Sequence, residues 1–304
     1  MAVNNVCFSL EKGRSLGIVG ESGCGKTTIG MALLGLLPEN GFVQNGRILF
    51  ENKDLVALPA KALRALRWKK ISMIFQAAMN ALNPVHRVGD QIAEAIRLHN
   101  PEFSAARIRT EVKELLDLVD IPQKRVDDYP HQYSGGMKQR AVIAMALSCK
   151  PDLIIADEPT TALDVIVQAQ ILEKIKAFQR SLNIAAIVIS HDIGVVAEVC
   201  HDIMVMYKGH MIECGKREEV FESPAHPYTI ELLSSHLAID SVFDFDSDMA
   251  ENTHSVKRPL MPRACGYAEK CSHADGTCFT DPPVWHHISS THRALCLKMT
   301  HNGQ

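Results

Sequence analysis

The sequence predicts an α/β fold, in which helices cover both faces of a largely parallel sheet. Five short apolar runs are continuously hydrophobic, as buried parallel strands are, rather than alternating. Helical stretches separate most of these runs, which is the order expected of a doubly wound sheet. The runs are SLGIV (15–19), ISMIF (71–75), LIIA (153–156), AAIVI (185–189) and IMVMY (203–207).

The composition is that of a globular protein with a large core. The chain has 304 residues, of which 46% are apolar and 22% charged. A chain of this length has room for about two domains. A net charge of −3 gives no reason to expect nucleic acid as a partner. The sequence shows neither a secretion signal nor an apolar run of about 18 residues. We therefore expect a soluble, cytoplasmic chain; if it works at a membrane, other subunits must hold it there.

Polar groups of different chemistry follow four of the predicted strands. The first strand leads into a glycine-rich loop, the second into Gln76, the third into Asp157 and Glu158, and the fourth into Ser190 and His191. Ligands of open α/β sheets bind outside the carboxyl ends of the strands. The sequence therefore predicts a reaction centre at this edge of the sheet.

The glycine-rich loop, GESGCGKTT (20–28), fits the phosphate-binding pattern G-x-x-x-x-G-K-[ST]. Glycines let successive N–H groups curl around phosphates, the lysine reaches the terminal phosphates, and the following hydroxyl ligates magnesium. The predicted nucleotide-binding residues are Gly20, Glu21, Ser22, Gly23, Cys24, Gly25, Lys26, Thr27 and Thr28, of which Thr27 is the magnesium ligand.

The later strand ends supply candidate catalytic groups. Asp157, at the end of a buried strand, is placed to hold the magnesium shell. Glu158 could polarise the attacking water, and His191 could contact the γ-phosphate. The alternatives are an exposed acidic turn for the two carboxylates and a satisfied structural histidine for His191. Gln76 alone carries little information, because many strands end in glutamine.

A second candidate anion site lies in YSGGMKQR (133–140). Ser134 is a good helix N-cap, and the N–H groups of the following turn, with Gly135 and Gly136, could meet a phosphate. The alternative is a plain N-cap followed by a glycine turn.

The chain divides into a long N-terminal domain and a short C-terminal extension. About seventy residues separate Gln76 from LIIADEP, which is longer than an ordinary crossover and carries helix signals. We therefore expect an inserted helical subdomain at about 80–148, within a domain spanning 1–235. The aspartate-rich segment near 238–252 indicates a linker, assigned to 236–257, and the extension is 258–304.

Four of the nine cysteines cluster in that extension. They are Cys265, Cys271, Cys278 and Cys296, separated by five, six and seventeen residues. Clustered thiolates select zinc or an iron–sulfur cluster, and a reducing compartment argues against disulfides. The absence of a C-x-x-C pair argues against zinc. Zinc is not excluded, because four histidines could serve as further ligands: His273, His286, His287 and His292. The spacing predicts a metal site, with iron–sulfur, zinc and free thiols all left open.

The ordered motifs resemble the ATP-binding subunit of an ABC transporter over about residues 3–235. They are GESGCGKT, Gln76, YSGGMKQR, LIIADEP, TALD (161–164) and SHD (190–192). The resemblance implies an ATPase in which two subunits face each other and Ser134, Gly135 and Gly136 cap the ATP of the partner. It also implies that Gln76 assists catalysis and magnesium binding, and that Asp164 couples the two sites.

Two further stretches are similar to the dipeptide/oligopeptide permease branch of this family, which also includes nickel importers. They are FQAAMNALNPVHRVGDQ (75–91) and SPAHPYTIELL (223–233). The resemblance implies an ATP-hydrolysing subunit of a peptide importer, peripheral at the cytoplasmic face of the cell membrane. Its implied partners are a sister ATPase, two transmembrane permease subunits and, indirectly, an external substrate-binding protein, without nucleic acid. The alternatives are an importer of nickel or another small solute, and a non-transport ABC ATPase.

The branch also implies a cofactor for the C-terminal cysteines. Its members often carry a 4Fe–4S cluster on a cysteine set of this kind, so we expect the cluster on Cys265, Cys271, Cys278 and Cys296, with Zn²⁺ as the alternative. Two features depart from the family pattern. Met137 stands where the signature commonly has glutamine, and only two residues precede Val3, where the family has a strand that carries an adenine-stacking aromatic residue. We therefore assign no adenine-stacking residue.

Overall fold

The computed structural model of the chain describes residues 1–76, 81–160, 165–240, 261 and 264–298. These residues form two compact units. Unit 1 comprises Met1–Phe8, Leu16–Lys26 and His191–Gln304, and unit 2 comprises Ser9–Ser15 and Thr27–Ser190. No helix in the described part of the chain is long and apolar enough to cross a bilayer.

Each of the five predicted runs forms a strand whose bounds lie within one residue of the prediction. The strands are β1 (Ser15–Val19), β2 (Leu49–Phe50), β3 (Lys53–Asp54), β4 (Ile71–Ile74), β5 (Leu153–Asp157), β6 (Ala185–Ser190), β7 (Asp202–Tyr207), β8 (His210–Lys216), β9 (Val284–His287) and β10 (Arg293–Cys296). The helices are α1 (Lys26–Leu33), α2 (Ala60–Leu66), α3 (Val88–His99), α4 (Ala105–Leu118), α5 (Gly135–Leu147), α6 (Val165–Leu182), α7 (Ile193–Val199), α8 (Arg217–Glu222), α9 (Pro227–Asp240) and α10 (Gly276–Thr280).

In unit 2, β4, β5 and β6 are parallel, and β5 lies between the other two. Helix α1 packs closely on this sheet at Gly30, where a Cβ atom would lie 3.2 Å from Cγ2 of Ile155. Helices α3, α4 and α5 bury a shared apolar core. They occupy the region predicted as a helical insertion, whose independence as a subdomain stays a prediction.

In unit 1 the sheet is mixed rather than parallel. Strand β1 pairs with β7 in parallel. Strand β8 pairs with both β7 and β10 in antiparallel fashion, and β10 in turn pairs with β9 in antiparallel fashion. The sequence pattern did not predict β8, β9 and β10. The first carries a charged residue, Glu213, at its centre, and the other two have only four residues each.

Glu213 is the carboxylate that joins β8 to the C-terminal part of unit 1. Its side chain is fully buried. Its oxygens accept hydrogen bonds from the backbone N–H groups of Ala225 and His226, both at 2.8 Å, and one lies 2.7 Å from Nε2 of His292. A buried carboxylate is tolerated only with such partners. Glu213 therefore fixes the turn before α9 and the approach to β10.

We expect Glu213→Ala to lower the free energy of unfolding by about 3–5 kcal/mol, because it leaves two backbone N–H groups and the buried His292 ring without their acceptor. Urea unfolding followed by circular dichroism measures the change. Glu222→Ala, at an exposed position near the end of α8, is the matched control and should change the stability by less than about 0.5 kcal/mol. Equal losses in the two variants would contradict the role given to Glu213.

Candidate functional site

The glycine-rich loop of unit 1 connects β1 to α1. Gly25 has φ +102°, a conformation that residues with a Cβ rarely adopt, and a Cβ there would lie 2.5 Å from the carbonyl oxygen of Ala2. Only glycine fits this position. The loop can therefore turn tightly into α1, and its binding of an anion stays a prediction.

Lys26 is the buried cation of this loop. Its ammonium donates hydrogen bonds to the carbonyl oxygens of Gly20 at 2.6 Å and Glu21 at 2.9 Å. The lysine side chain is thus hydrogen-bonded to the backbone of the loop whose N–H groups would bind phosphate. The Cys24 thiol lies nearby, and burial raises its pKa, so it is neutral at pH 7.

Backbone contacts within unit 1 hold the loop from outside. The turn between β7 and β8 supplies Gly209, whose N–H donates to the carbonyl oxygen of Cys24 at 3.0 Å. Asn4 donates in turn to the carbonyl oxygen of Gly209 at 2.8 Å. Ser22 and Gly23, at the tip of the loop, stay exposed. The loop is therefore fixed at its base and open where a ligand would enter.

His191 begins the third chain segment that the structure places in unit 1. It directly follows β6 and is exposed. The next residue, Asp192, caps α7 by accepting a hydrogen bond from the N–H of Gly194 at 2.8 Å. His191 thus lies between a strand end and a helix start, where the sequence predicted a polar strand end.

Unit 2 brings two of the predicted strand-end residues into direct contact. Gln76, just after β4, donates from Nε2 to Oε2 of Glu158, just after β5, at 2.9 Å. Asp157 is buried at the last position of β5. On the first turn of α1, Thr27 is exposed and Thr28 half-buried. An amide and two carboxylates thus share one end of neighbouring strands.

The backbone of Glu158 is in an unusual conformation. Its φ is +49°, in the left-handed region, and Pro159 follows it. Such a conformation in a residue other than glycine costs on the order of 1–3 kcal/mol, so the surrounding structure must hold it. The Glu158 N–H, bonded to the carbonyl oxygen of Ile189 in β6 at 2.8 Å, holds it in place.

YSGGMKQR (133–140), the signature segment, begins a helix, as predicted. Ser134 caps α5, and its Oγ accepts a hydrogen bond from the N–H of Met137 at 3.3 Å. Ser134 and Gly135 are exposed, so the start of α5 is open to a ligand. Gly136 has a packing role as well, because a Cβ there would lie 2.8 Å from Cγ1 of Val167 in α6. One turn therefore combines a helix cap with an exposed helix N-terminus.

One contact in this segment escaped the sequence reasoning. Gln139 is buried, and its side-chain amide donates to the carbonyl oxygen of Pro159. It therefore links the signature helix to the residue that follows Glu158. A glutamine among apolar residues of α5 was the one sequence feature that could have indicated this contact. It did not reveal the partner, which lies twenty residues away. Asp164, the predicted coupling residue, lies outside the described residues.

The four C-terminal cysteines meet in unit 1. All of them line one small cavity, together with His226 and Tyr267. Burial raises the pKa of the Cys265 and Cys271 thiols. Within residues 1–76, 81–160, 165–240, 261 and 264–298, no group of three or more His, Cys, Asp or Glu side chains is arranged to hold a metal ion. The cysteine-rich metal-binding extension is therefore not supported by the arrangement of these side chains.

The histidines considered as zinc ligands lie differently. The Nε2 atom of His286 is 3.0 Å from the carbonyl oxygen of Cys296, and His292 contacts Glu213. His273 and His287 are exposed. None of these four histidine side chains is among the residues that line the cavity of the cysteines.

Comparison with known protein families identifies the architecture. The family described as ABC transporter matches residues 3–161, slightly more than half of the chain. The chain belongs to the ABC transporter family. The family described as the oligopeptide/dipeptide transporter C-terminal region matches residues 212–278. This ABC ATPase therefore combines an ATP-hydrolysing core with a C-terminal region characteristic of one transporter branch.

Relatives support this assignment along nearly the whole chain. The dipeptide transport ATP-binding protein DppD of Bacillus subtilis (strain 168) is 47% identical over 97% of this chain and 88% of its own length. The oligopeptide transport ATP-binding protein OppD of Salmonella typhimurium (strain LT2) is 45% identical over 93% of this chain and 84% of its own length. The dimeric, post-hydrolysis ATP-binding cassette MJ0796, bound to ADP and Pi, is similar with a TM-score of 0.64 and 26% identity, over 71% of this chain and 90% of that one.

We expect Gly136→Ala to destabilise the ABC ATPase by about 1–3 kcal/mol, because the new methyl group overlaps the Val167 side chain. Thermal unfolding of the single and double variants measures it. Val167→Ala removes the obstructing methyl groups, so the loss in the double variant should be smaller than the sum of the two single losses. Strict additivity would contradict the packing role of Gly136.

Proposed function

We propose that this ABC ATPase is the ATP-hydrolysing subunit of an importer of dipeptides or oligopeptides. The observation that carries the proposal is the succession, in one chain, of an ABC transporter region at 3–161 and an oligopeptide/dipeptide transporter C-terminal region at 212–278. The relatives named as dipeptide and oligopeptide transport ATP-binding proteins, which align over more than nine-tenths of the chain, support it. Peptide import fits these observations better than nickel import or a non-transport role.

In this proposal the strand-end groups divide the work of hydrolysis. Lys26 and the loop N–H groups hold the phosphates of ATP, and Thr27, Gln76 and Asp157 hold Mg²⁺ and its water shell. Glu158 accepts a proton from the water that attacks the γ-phosphorus atom, and ADP and inorganic phosphate leave. The hydrogen bond between Gln76 and Glu158 supports this division, since it links the proposed metal ligand to the proposed base. His191 contacts the γ-phosphate.

The second candidate anion site, in YSGGMKQR (133–140), binds the nucleotide of a second subunit. Ser134, Gly135 and Gly136 would cap the ATP bound by the glycine-rich loop of a partner ATPase, and Asp164 would couple the two sites. The exposed start of α5 supports this role, because its N–H groups can meet a phosphate brought by another chain. The remaining proposed partners are two transmembrane permease subunits, which hold the ATPase at the cytoplasmic face of the membrane and receive substrate from an external binding protein.

We expect Glu158→Gln to retain ATP binding but to lower the rate of ATP hydrolysis by about 10²–10⁴-fold, because an amide cannot accept the proton of the attacking water. Phosphate release measures the rate, and light scattering in ATP should detect a trapped dimer with itself or with a sister ATPase. Glu39→Gln makes the same chemical change at an exposed position and should keep full activity. Unchanged turnover in Glu158→Gln would remove Glu158 from its role.

The C-terminal cysteines form the second part of the proposal. We propose that Cys265, Cys271, Cys278 and Cys296 hold a 4Fe–4S cluster, with Zn²⁺ as the alternative. The presence of all four thiols around one cavity supports this, since four thiolates are the donor set such clusters take, although the described side chains are not arranged to hold a metal ion. The group would fasten a segment with a very small apolar core. The segment belongs to the proposed extension 258–304, which follows a linker at 236–257 and an ATPase domain at 1–235 with a helical subdomain at about 80–148.

Anaerobically purified protein should contain about four irons and a matching amount of acid-labile sulfide per chain. Cys278→Ser should lose both, because it removes a proposed ligand from the buried side of the cavity. Cys7→Ser, which alters an exposed cysteine elsewhere in the chain, should keep them. Stoichiometric zinc would support the alternative, and a metal-free wild-type protein would overturn the metal site itself.

A further inference from the structure

The glycine-rich loop is held by side chains from the C-terminal part of unit 1. The backbone N–H of Glu21, the second residue of the loop, donates to the hydroxyl of Tyr228 at 3.0 Å. The Glu21 carboxylate pairs with the ammonium of Lys270 at 3.2 Å. These partners lie 207 and 249 residues further along the chain. Both belong to the part of the chain that follows the ATPase motifs.

The Tyr228 hydroxyl is held in position by its ring. The side chain is 3% exposed. Its ring packs against those of Tyr207 and Tyr267, with centroids 4.8 Å and 5.5 Å apart, and the latter two rings pack edge to face at 5.3 Å. Aromatic pairs at these separations have preferred orientations and resist displacement. We name Tyr207, Tyr228 and Tyr267 the tyrosine triad.

The tyrosine triad connects the loop to the cysteine segment. Tyr267 lies between Cys265 and Cys271 in the sequence, and its hydroxyl donates to the carboxylate of Glu231 in α9. The backbone N–H of Tyr228 donates to Nδ1 of His226 at 3.1 Å. Burial lowers the pKa of His226 to about 4, so the ring is neutral and can accept this bond. Packing of the cysteine segment therefore sets the position of the Tyr228 hydroxyl.

Lys270 acts on charge rather than on shape. The Lys270 and Glu21 side chains are 58% and 48% exposed, so their ion pair adds little to the stability of the fold. Glu21, however, belongs to the loop that receives the phosphates of ATP, and its carboxylate would repel them. The ammonium of Lys270 offsets that charge at the phosphate site, without itself belonging to the loop.

We propose that Tyr228 and Lys270 are positioning residues for the glycine-rich loop, so that the C-terminal segment contributes to the affinity for ATP. The hydroxyl of Tyr228 keeps the Glu21 backbone in the conformation that phosphate requires, which spares the loop an ordering cost on binding. This inference rests on the proposed role of the loop in ATP binding. It adds a function for residues outside the ATPase motifs.

The first test compares two hydroxyl deletions within the triad. Tyr228→Phe should weaken equilibrium binding of a non-hydrolysable ATP analogue by about fivefold, since it removes one hydrogen bond while keeping the ring. Tyr207→Phe is the matched control: it removes a hydroxyl from a neighbouring buried ring, for which no hydrogen bond is seen among the described residues, and should bind like the wild type. In turnover assays Tyr228→Phe should raise KM for ATP and leave kcat unchanged.

Two results would overturn this part of the inference. One is unchanged affinity in Tyr228→Phe, and the other is an equal loss of affinity in both variants, which would indicate general loosening of the triad. Thermal unfolding of both variants distinguishes general loosening of the triad from loss of the one hydrogen bond to Glu21. Failure of the wild-type protein to bind the analogue would instead refute the proposed function.

The second test is a double-mutant cycle. Lys270→Ala should weaken binding of the analogue about threefold at low ionic strength, and the effect should shrink in 1 M salt because ions screen exposed charges. Lys270→Arg keeps the charge and should restore the affinity. In a Glu21→Gln background Lys270→Ala should have no further effect. The same loss in both backgrounds would show that Lys270 does not act through Glu21.

Discussion

A loop that is proposed to offer backbone N–H groups to a phosphate can use few of these groups to hold its own shape. This constraint explains much of unit 1. The loop must be fixed from its flanks, and the structure supplies the strand β1 before it, the helix α1 after it, and the bond between Gly209 and Cys24 at its base. The close approach of Ala2 to Gly25 leaves no room for a side chain. The tip of the loop, at Ser22 and Gly23, stays exposed.

Unit 2 meets a related constraint at the ends of its parallel strands. The carboxylate proposed to be catalytic, Glu158, must be held in one reproducible orientation. The left-handed backbone of Glu158 turns the chain at the end of β5, and the bonds of its N–H to Ile189 and its carboxylate to Gln76 hold it there. Gln139 adds a contact between α5 and Pro159, so the signature helix and the carboxylate segment share a buried link.

The C-terminal cysteine segment has too few apolar residues to fold around a core of its own. It is joined to unit 1 instead, through the pairing of β10 with β8 and through the buried carboxylate of Glu213. The same attachment brings Tyr267 against Tyr228 and Lys270 against Glu21. Anchoring of the segment and contact with the glycine-rich loop are therefore consequences of one arrangement.

Local sequence pattern was sufficient to predict the five apolar strands, the glycine-rich loop and the cap at Ser134, because hydrophobic runs and glycine spacing are visible over short stretches. It also predicted that Gln76 and Glu158 lie close together, because the ends of parallel strands meet at one edge of the sheet. It was insufficient for β8, β9 and β10, whose few residues and central charge hide their hydrophobic pattern. The partners of Glu213, Gln139 and Glu21 depended on tertiary structure alone. Hydrogen bonds and ion pairs between distant segments leave no periodic trace in a single sequence, since each partner is an ordinary polar residue until the fold brings the two together.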